Sequence, residues 1–499
     1  MKNSVSRQAV TATIITSSLM VLIDMTVANV ALPDMMGALG ATSDQITWVL
    51  TSFSMAEAIC IPLAGFLTLR FGERQLLMYS IGGFVVMSAL CGQADSLMEM
   101  IFFRIFQGIF GAAVIPLSQS ILMQVYPREE QGRAMALFSI GVMVGPVLGP
   151  VIGGILTEHL NWRWVFYINL PVGAVCLLLI FRNIQISNRG KTSIDWLLIF
   201  TMALGIGLLQ MVLSQGNEKN WFSSNFILFS TMASVLLIIA FVLRSFLTRG
   251  EIAPVWMLRD RNLGISCLIV SCFAVGTFGV LQLQPMLLQE LLNYPVETSG
   301  FIMAPRGIAS AVVLIMAAPL MDKLDSRILV FVGLVLNAIG VWQMSWYSLE
   351  IDPFWIILPS VIQGAGLGLV FAPLSKIAFS TLRPELIPGG TAMFNLCRTI
   401  GSSIGIAVIN TYFSYVKQLE WQSLGGSLSP DNKLLQDYAE ATGETITNTA
   451  FIEQIAGLLK QQSTMLAFIY CFMLMVFIYL TLMLLLPLFR KKEQSSSSP

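Results

Sequence analysis

Residues 104–118 read Arg-Ile-Phe-Gln-Gly-Ile-Phe-Gly-Ala-Ala-Val-Ile-Pro-Leu-Ser, and residues 363–375 read Gln-Gly-Ala-Gly-Leu-Gly-Leu-Val-Phe-Ala-Pro-Leu-Ser. Each is an apolar run in which Gln-Gly is followed, after seven or eight intervening residues, by Pro-Leu-Ser: Gln107-Gly108 with Pro116, Gln363-Gly364 with Pro373. The next run repeats as well. Gly132-x-Ala134-Met135 recurs as Gly390-x-Ala392-Met393, and Gly145 and Gly149 recur as Gly401 and Gly405, all at offsets between 256 and 258 residues. Four matches at a nearly constant offset across two successive runs mark a duplicated chain. Parallel repeats with a binding site at their interface are a secondary-transporter architecture, worked by rocking one half against the other.

Composition fixes the solvent. Of 499 residues, 56% are apolar and 11% charged, against about 25% charged in soluble domains; the mean hydropathy is +0.76. Roughly 280 apolar residues would fill about fourteen helices of about 20 residues, which excludes a water-soluble globule. Net charge is zero with no basic block, so the electrostatic footprint of nucleic-acid binding is missing. A single histidine, His159, leaves no room for a histidine metal cluster or a Ser/His relay, and the seven cysteines lie in apolar runs without CxxC spacing. They read as small buried hydrophobes. No metal site, cofactor or enzymatic constellation is expected.

The first apolar run, from Thr11 to about Pro33, is too long for the apolar region of a signal peptide and is read as a spanning helix. Later spans are expected near 46–66, 76–94, 100–124, 134–157, 163–181, 194–213, 225–247, 262–284, 299–321, 328–347, 354–380, 389–415 and 464–488. That makes fourteen, with both termini on one side. Of the Lys and Arg flanking these spans, twenty fall on the side of the termini and five on the other, which by the positive-inside rule places the termini in the cytoplasm. The expected architecture is all-α and integral to the membrane. It comprises a six-helix half (1–190), two inserted helices (191–250), a second six-helix half (251–490) with an external loop at 416–463, and a disordered tail (491–499).

Five ionisable groups remain inside the spans: Asp24, Glu57, Arg104, Arg306 and Arg398. Each costs on the order of 3 kcal/mol to place at the bilayer centre, so each needs a partner or a watery cavity, and such groups are functional candidates by default. The plain alternative for Arg306 and Arg398 is an Arg–Asp pair that only staples two helices.

The motifs add a resemblance. Ile23-Asp-Met-Thr-Val-Ala-Asn-Val-Ala-Leu-Pro33 resembles the first-helix signature of the fourteen-helix drug:proton antiporter branch of the major facilitator superfamily, the EmrB/QacA type. Gly65, Arg70, Gly72 and Arg74 resemble the superfamily's loop between helices two and three, and Arg104-Ile-Phe-Gln107-Gly108 its fourth-helix arginine motif. Gly141-x-x-x-Gly145-Pro146-x-x-Gly149-Pro150-x-x-Gly153-Gly154 resembles the fifth-helix antiporter motif. Residues 48–53 and Asn395-x-x-Arg398-x-x-Gly401-Ser402 resemble the EmrB subgroup. Two departures stand out: Leu69 occupies the place of the loop's usual aspartate, and Glu73 that of a basic residue.

This resemblance implies a major facilitator fold and a proton-driven exporter of hydrophobic small molecules in a bacterial inner membrane. The proton gradient is the energy source. Asp24, Glu57 and Arg104 are the expected proton-coupling groups, and Asp24, Asn29, Glu57, Gln107, Gln282, Gln284 and Arg398 the expected cavity residues. Glu57 stands where the family pattern has no acid, and is either a second protonation site or a protonated structural carboxyl. The glycines and prolines of 141–154 are expected to seal a helix boundary between the two halves. The acidic loop at 416–463 implies a periplasmic adaptor leading to an outer-membrane channel, or else serves as a solvated linker. Export of a single native metabolite or siderophore is the rival reading on the same fold. A desolvated carboxyl favours its protonated form and a nearby arginine reverses that preference, so a conformation-dependent Asp24–Arg104 contact would switch proton affinity.

Overall fold

The computed structural model describes residues 6–127, 130–184, 195–248, 254–321, 323–426, 428–429, 431–442, 445 and 448–490. The expected domain boundaries at 190/191 and 250/251, Glu444 in the loop and the tail 491–499 lie outside them. No strand occurs among the described residues.

The long helices are α1 (Arg7–Val30), α2 (Trp48–Phe71), α3 (Glu73–Gln93), α4 (Leu97–Val125), α5 (Gln131–His159), α6 (Trp164–Asn183), α7 (Trp196–Gln215), α8 (Asn225–Thr248), α9 (Arg261–Leu291), α10 (Thr298–Ala317), α11 (Ser326–Met344), α12 (Pro353–Phe379), α13 (Pro384–Gly426) and α14 (Thr449–Leu488). Thirteen are long and apolar enough to cross a membrane. The other, α5, has 29 residues, about 43 Å at 1.5 Å per residue, and with it the described chain is compatible with fourteen spans. Pro62 falls in a 3-10 turn that interrupts α2, and α4 breaks at Ala112–Ala113, just before Pro116. Proline removes a backbone donor and crowds the preceding turn.

The duplication is visible in the packing. α5 runs along α1, and α13 runs along α9 in the same way. A Cβ on Gly145 would lie 2.7 Å from the Leu22 Cβ; one on Gly401 would lie 2.6 Å from the Ser271 Cα, and one on Gly405 2.5 Å from the Val275 Cα. Repeat-related glycines thus face the paired helix closely in both halves, against side chains in the first and against main chain in the second, as small residues do where membrane helices pack closely. The halves meet where α5 packs on α10 and α12, and where α13 crosses α2 and α4. α7 and α8 pair with each other, and α7 lies on α2 and touches α13. Asp195 caps the start of α7 and accepts both a 2.9 Å and a 3.0 Å bond from Arg244 Nε of α8. That guanidinium, with backbone amides of the first turn, holds the Asp195 carboxyl below its usual range.

The expected segment at 416–463 is helical at both ends. α13 continues to Gly426 and α14 already begins at Thr449, so the amphipathic stretch from Phe451 to Leu459 belongs to the last spanning helix. Between them, the short helix Lys433–Thr442 packs Leu435 and Ala439 on Phe451, with Leu428 and Ile455 alongside. A 43-residue helix is about 64 Å long, twice the ~30 Å hydrocarbon core, so its apolar periodicity necessarily runs on past the bilayer.

Tight packing in the C-terminal half gives a direct test. A Cβ on Gly364 would sit 2.8 Å from the Arg306 carbonyl carbon and 3.0 Å from its Cα. Backbone cannot yield as a side chain can, and overpacking costs about 1–3 kcal/mol. Gly364→Ala is expected to lower the melting temperature of the purified protein; an unchanged melting curve in detergent would contradict the packing.

Candidate functional site

Four helices bring a polar cluster into the middle of the N-terminal half. Asp24 on α1 is 1% exposed and Arg104 on α4 is 1% exposed, and they form an ion pair of 2.8 Å. Gln107, one helical turn beyond Arg104, accepts from Arg104 Nη1 at 2.8 Å and donates to Asp24 Oδ1 at 3.0 Å. The i, i+3 spacing puts both α4 side chains on one face. Asn169, at the start of α6, donates to the same Oδ1 at 2.5 Å and to Ser88 Oγ of α3 at 2.9 Å. Ser88 in turn donates to the Phe166 carbonyl, at 2.9 Å. Arg104 is held further by its Nε bond to the Val49 carbonyl and by the Phe53 ring, whose centroid lies 4.4 Å from Cζ. The Asp24 carboxyl thus accepts three bonds, one of them from a guanidinium, and this satisfies the buried pair's polar atoms away from water.

Sequence reasoning placed Asp24, Arg104 and Gln107 here and missed Asn169 and Ser88. Neither polar residue stands out in an apolar run, and only the fold brings α3 and α6 to α1. With Asn169→Leu, Asp24 loses a donor and Ser88 loses one of its two partners. We expect weakened transport and a loss of stability of about 1–3 kcal/mol, the usual cost of unpairing buried polar groups; wild-type transport and melting would contradict this role.

Glu57 is buried on α2 and lies within electrostatic reach of both Arg104 and Arg398. Arg398 belongs to α13, so this charge interaction joins the two halves. Its guanidinium also stacks near Phe371, 5.9 Å from the ring centroid. Among the described residues neither Arg306 nor Arg398 forms an ion pair within 4 Å, so the alternative of an Arg–Asp staple is not made at either. Gln284 joins Arg306 inside the C-terminal half: Arg306 Nη2 donates to Gln284 Oε1, and Gln284 Nε2 donates to Ser360 Oγ at 2.7 Å. Asn29 and Gln282 are exposed and belong to neither cluster.

The motif glycines divide by geometry. Gly141, Gly145, Gly149 and Gly153 all face α1, against Ile15, Leu22, Thr26 and Val27. The face they close is therefore inside the N-terminal half, although α5 itself also packs on α10 and α12 of the other half. A Cβ on Gly154 would meet open space; Pro146 and Pro150 lie on the same helix, their side chains outside the described residues. Gly65 does lie between the halves: a Cβ there would be 2.9 Å from the Gly389 Cα of α13. Gly72 has φ +81°, a conformation costly for any other residue. Arg70 is exposed, and Arg74 donates to the Phe181 carbonyl at 2.9 Å. Glu73 is 1% exposed and accepts from Gln124 Nε2 at 3.2 Å, so it serves contacts within its own half. Among the described residues no cluster of His, Cys, Asp or Glu could hold a metal.

Comparison with known proteins follows this geometry. The family model described as Major Facilitator Superfamily matches residues 14–406. The chain is 33% identical to the multidrug export protein EmrB of Haemophilus influenzae over 465 residues, covering 91% of this chain and 89% of that protein. It is 33% identical to EmrB of Escherichia coli over 452 residues (90% and 88%). The fatty acid resistance protein FarB of Neisseria gonorrhoeae is 31% identical over 423 residues (84% and 83%). Among solved structures, the human organic anion transporter TETRAN superposes with a TM-score of 0.64 at 14% identity, covering 96% of this chain and 99% of that one. The proton:xylose symporter XylE gives 0.60 at 14% identity, covering 96% of each; at such identity both likenesses speak for the fold alone. With a matching family model over most of its length, a shared fold and buried charges at the heart of each half, the chain belongs to the major facilitator superfamily and is a multi-pass transporter of the bacterial inner membrane.

Proposed function

We propose that this transporter is a proton-coupled antiporter that exports hydrophobic drugs and other toxic small molecules, with Asp24 as the proton carrier. The observation that carries the reading is the buried Asp24–Arg104 pair at 2.8 Å, closed by Gln107 and Asn169. A proton on Asp24 removes the charge that Arg104 neutralises and adds an O–H that needs an acceptor. Within the cluster, Gln107 Oε1 already accepts from Arg104 and from the Cys91 thiol, so a protonated Asp24 favours a rearranged cluster. Because α1, α3, α4 and α6 each contribute a member, rearrangement is felt across the whole N-terminal half. Proton entry also draws about 2.3 kcal/mol per charge from each 100 mV of membrane potential. Glu57 and Arg398 extend the charge system to the second half, and closing or opening the seam alters their interaction.

The curated relatives support the cargo class, since two are named for multidrug export and one for fatty acid resistance. As a further part of the proposal, the external unit of Lys433–Thr442 and the ends of α13 and α14 docks a periplasmic membrane-fusion adaptor leading to an outer-membrane channel; its exposed Leu434 and Ile452 favour a partner over a bare linker. The test is proton release on adding candidate drugs to the purified protein, followed by drug accumulation in proteoliposomes under a pH gradient. Release with gradient-driven uptake is expected; drug uptake indifferent to the pH gradient would refute proton coupling.

A further inference from the structure

The C-terminal half holds a polar cluster of its own, and it contains no carboxylate. Arg306 on α10 is 6% exposed and forms no ion pair within 4 Å among the described residues. Its Nη2 donates to Gln284, but its Nε is buried and unpartnered. The same is true of Thr277 Oγ1 on α9, Asn337 Oδ1 on α11 and Gln363 Oε1 on α12. These four residues, with Leu281 and Leu367, line one cavity of about 20 Å³. Tyr479 of α14 lies close to Thr277 and Gln363 without meeting hydrogen-bond geometry.

We propose that this cavity is a binding site for a single internal water, which bridges Arg306, Thr277, Asn337 and Gln363 and hydrates the guanidinium in place of a counter-ion. Volume and valence both select water. A site needs about 10–15 Å³ of such volume to hold one water and two to four polar partners to keep it. Asn337 Nδ2 is committed to the Gly333 carbonyl at 2.8 Å, so the atom Asn337 offers the cavity is an acceptor. Gln363 offers another. Arg306 Nε can only donate, and the Thr277 hydroxyl can do either. The occupant must therefore give two protons and accept at least one bond. A halide has no proton to give to the two amide oxygens, and an ammonium has nothing with which to accept from Arg306. Water does both.

The contrast between the halves gives the site its meaning. Gln107 and Gln363 occupy equivalent places in the repeat, yet Gln107 bonds the ionisable Asp24 and Gln363 faces the water. One cluster is centred on a group that takes up a proton, the other on a neutral molecule that leaves the cation permanently charged.

The test begins with a density map of the full-length protein at a resolution that shows ordered water. One peak within hydrogen-bond distance of all four atoms is expected. Featureless density there overturns the proposal, as does an anomalous signal in the cavity from crystals grown in bromide. Melting curves supply a second, independent reading. Leu367→Phe, which fills the cavity and expels its occupant, is expected to lower the melting temperature by stranding four polar atoms. Combining it with Arg306→Met, Gln284→Leu, Thr277→Val, Asn337→Leu and Gln363→Leu is expected to restore much of the loss, since Ser360 keeps its bond to the Ile356 carbonyl and the replaced groups leave no partner stranded. A Leu367→Phe protein as stable as wild type would show that the polar atoms need no bridge.

Discussion

Asp24→Asn reduces efflux driven by a pH gradient to the level of protein-free vesicles. Asparagine keeps the shape of the side chain but cannot take up a proton, so any cargo movement that depends on loading and unloading that site stops. The same change leaves Arg104, 1% exposed, without its neutralising charge. Removing one member of a buried pair typically costs about 3–5 kcal/mol, and the purified variant is expected to melt earlier. These two consequences separate in the double variant Asp24→Asn/Arg104→Gln, where no charge remains to be neutralised. Stability is expected to recover in part and gradient-driven efflux not at all. Full-rate dye efflux by Asp24→Asn under a pH gradient would remove this residue from the coupling machinery, and recovery of efflux in the double variant would reduce the pair to a structural one.

Gly65→Val blocks the cycle without unfolding the protein. The two backbones approach so closely here that an added Cβ would lie 2.9 Å from the Gly389 Cα and 3.1 Å from the Pro388 carbonyl oxygen. A β-branched side chain cannot be accommodated by rotating a neighbour, because the neighbours are main chain. The clash falls between α2 of one half and α13 of the other, and each half keeps its own core, so the cheapest relief is to hold the halves apart on the side of the chain termini. Transport is therefore expected to fall to background with an intact melting transition. A cysteine placed near the ends of α4 and α12 should then react faster with an impermeant thiol reagent applied from that side. Wild-type transport would show that this approach is never closed in the working cycle.

The parts of this molecule that could be read from its sequence are those where one physical rule dominates. Apolar length set the spans, because a backbone in lipid has few other choices. The cost of burying charge singled out Asp24, Arg104, Glu57, Arg306 and Arg398 before any contact was visible. The constant offset of Gln-Gly and Pro-Leu-Ser exposed the duplication, and the packing of repeat-related glycines on α1 and α9 repeats it in space. Relations between distant helices were not legible in the same way. Asn169 and Ser88 are ordinary polar residues in apolar runs, and their importance arises from α3 and α6 arriving beside α1. The glycines of α5 gave the right kind of contact with the wrong neighbour, since small residues specify closeness and not the identity of the partner. The continuation of α13 to Gly426 was not legible because its polar outer turns carry no apolar periodicity to separate helix from loop.

That long helix acts mechanically as a pointer. It is pinned near one end by the backbone approach of Gly389 to Gly65 and finishes 37 residues later at Gly426, close in sequence to the small core of Leu435, Ala439 and Phe451. Over a rod of about 55 Å, a tilt of roughly 10° sweeps the free tip through about 10 Å, given a rise of 1.5 Å per residue. A small angular displacement at the Gly65–Gly389 approach would thereby be magnified into a large excursion at the far end of the same helix.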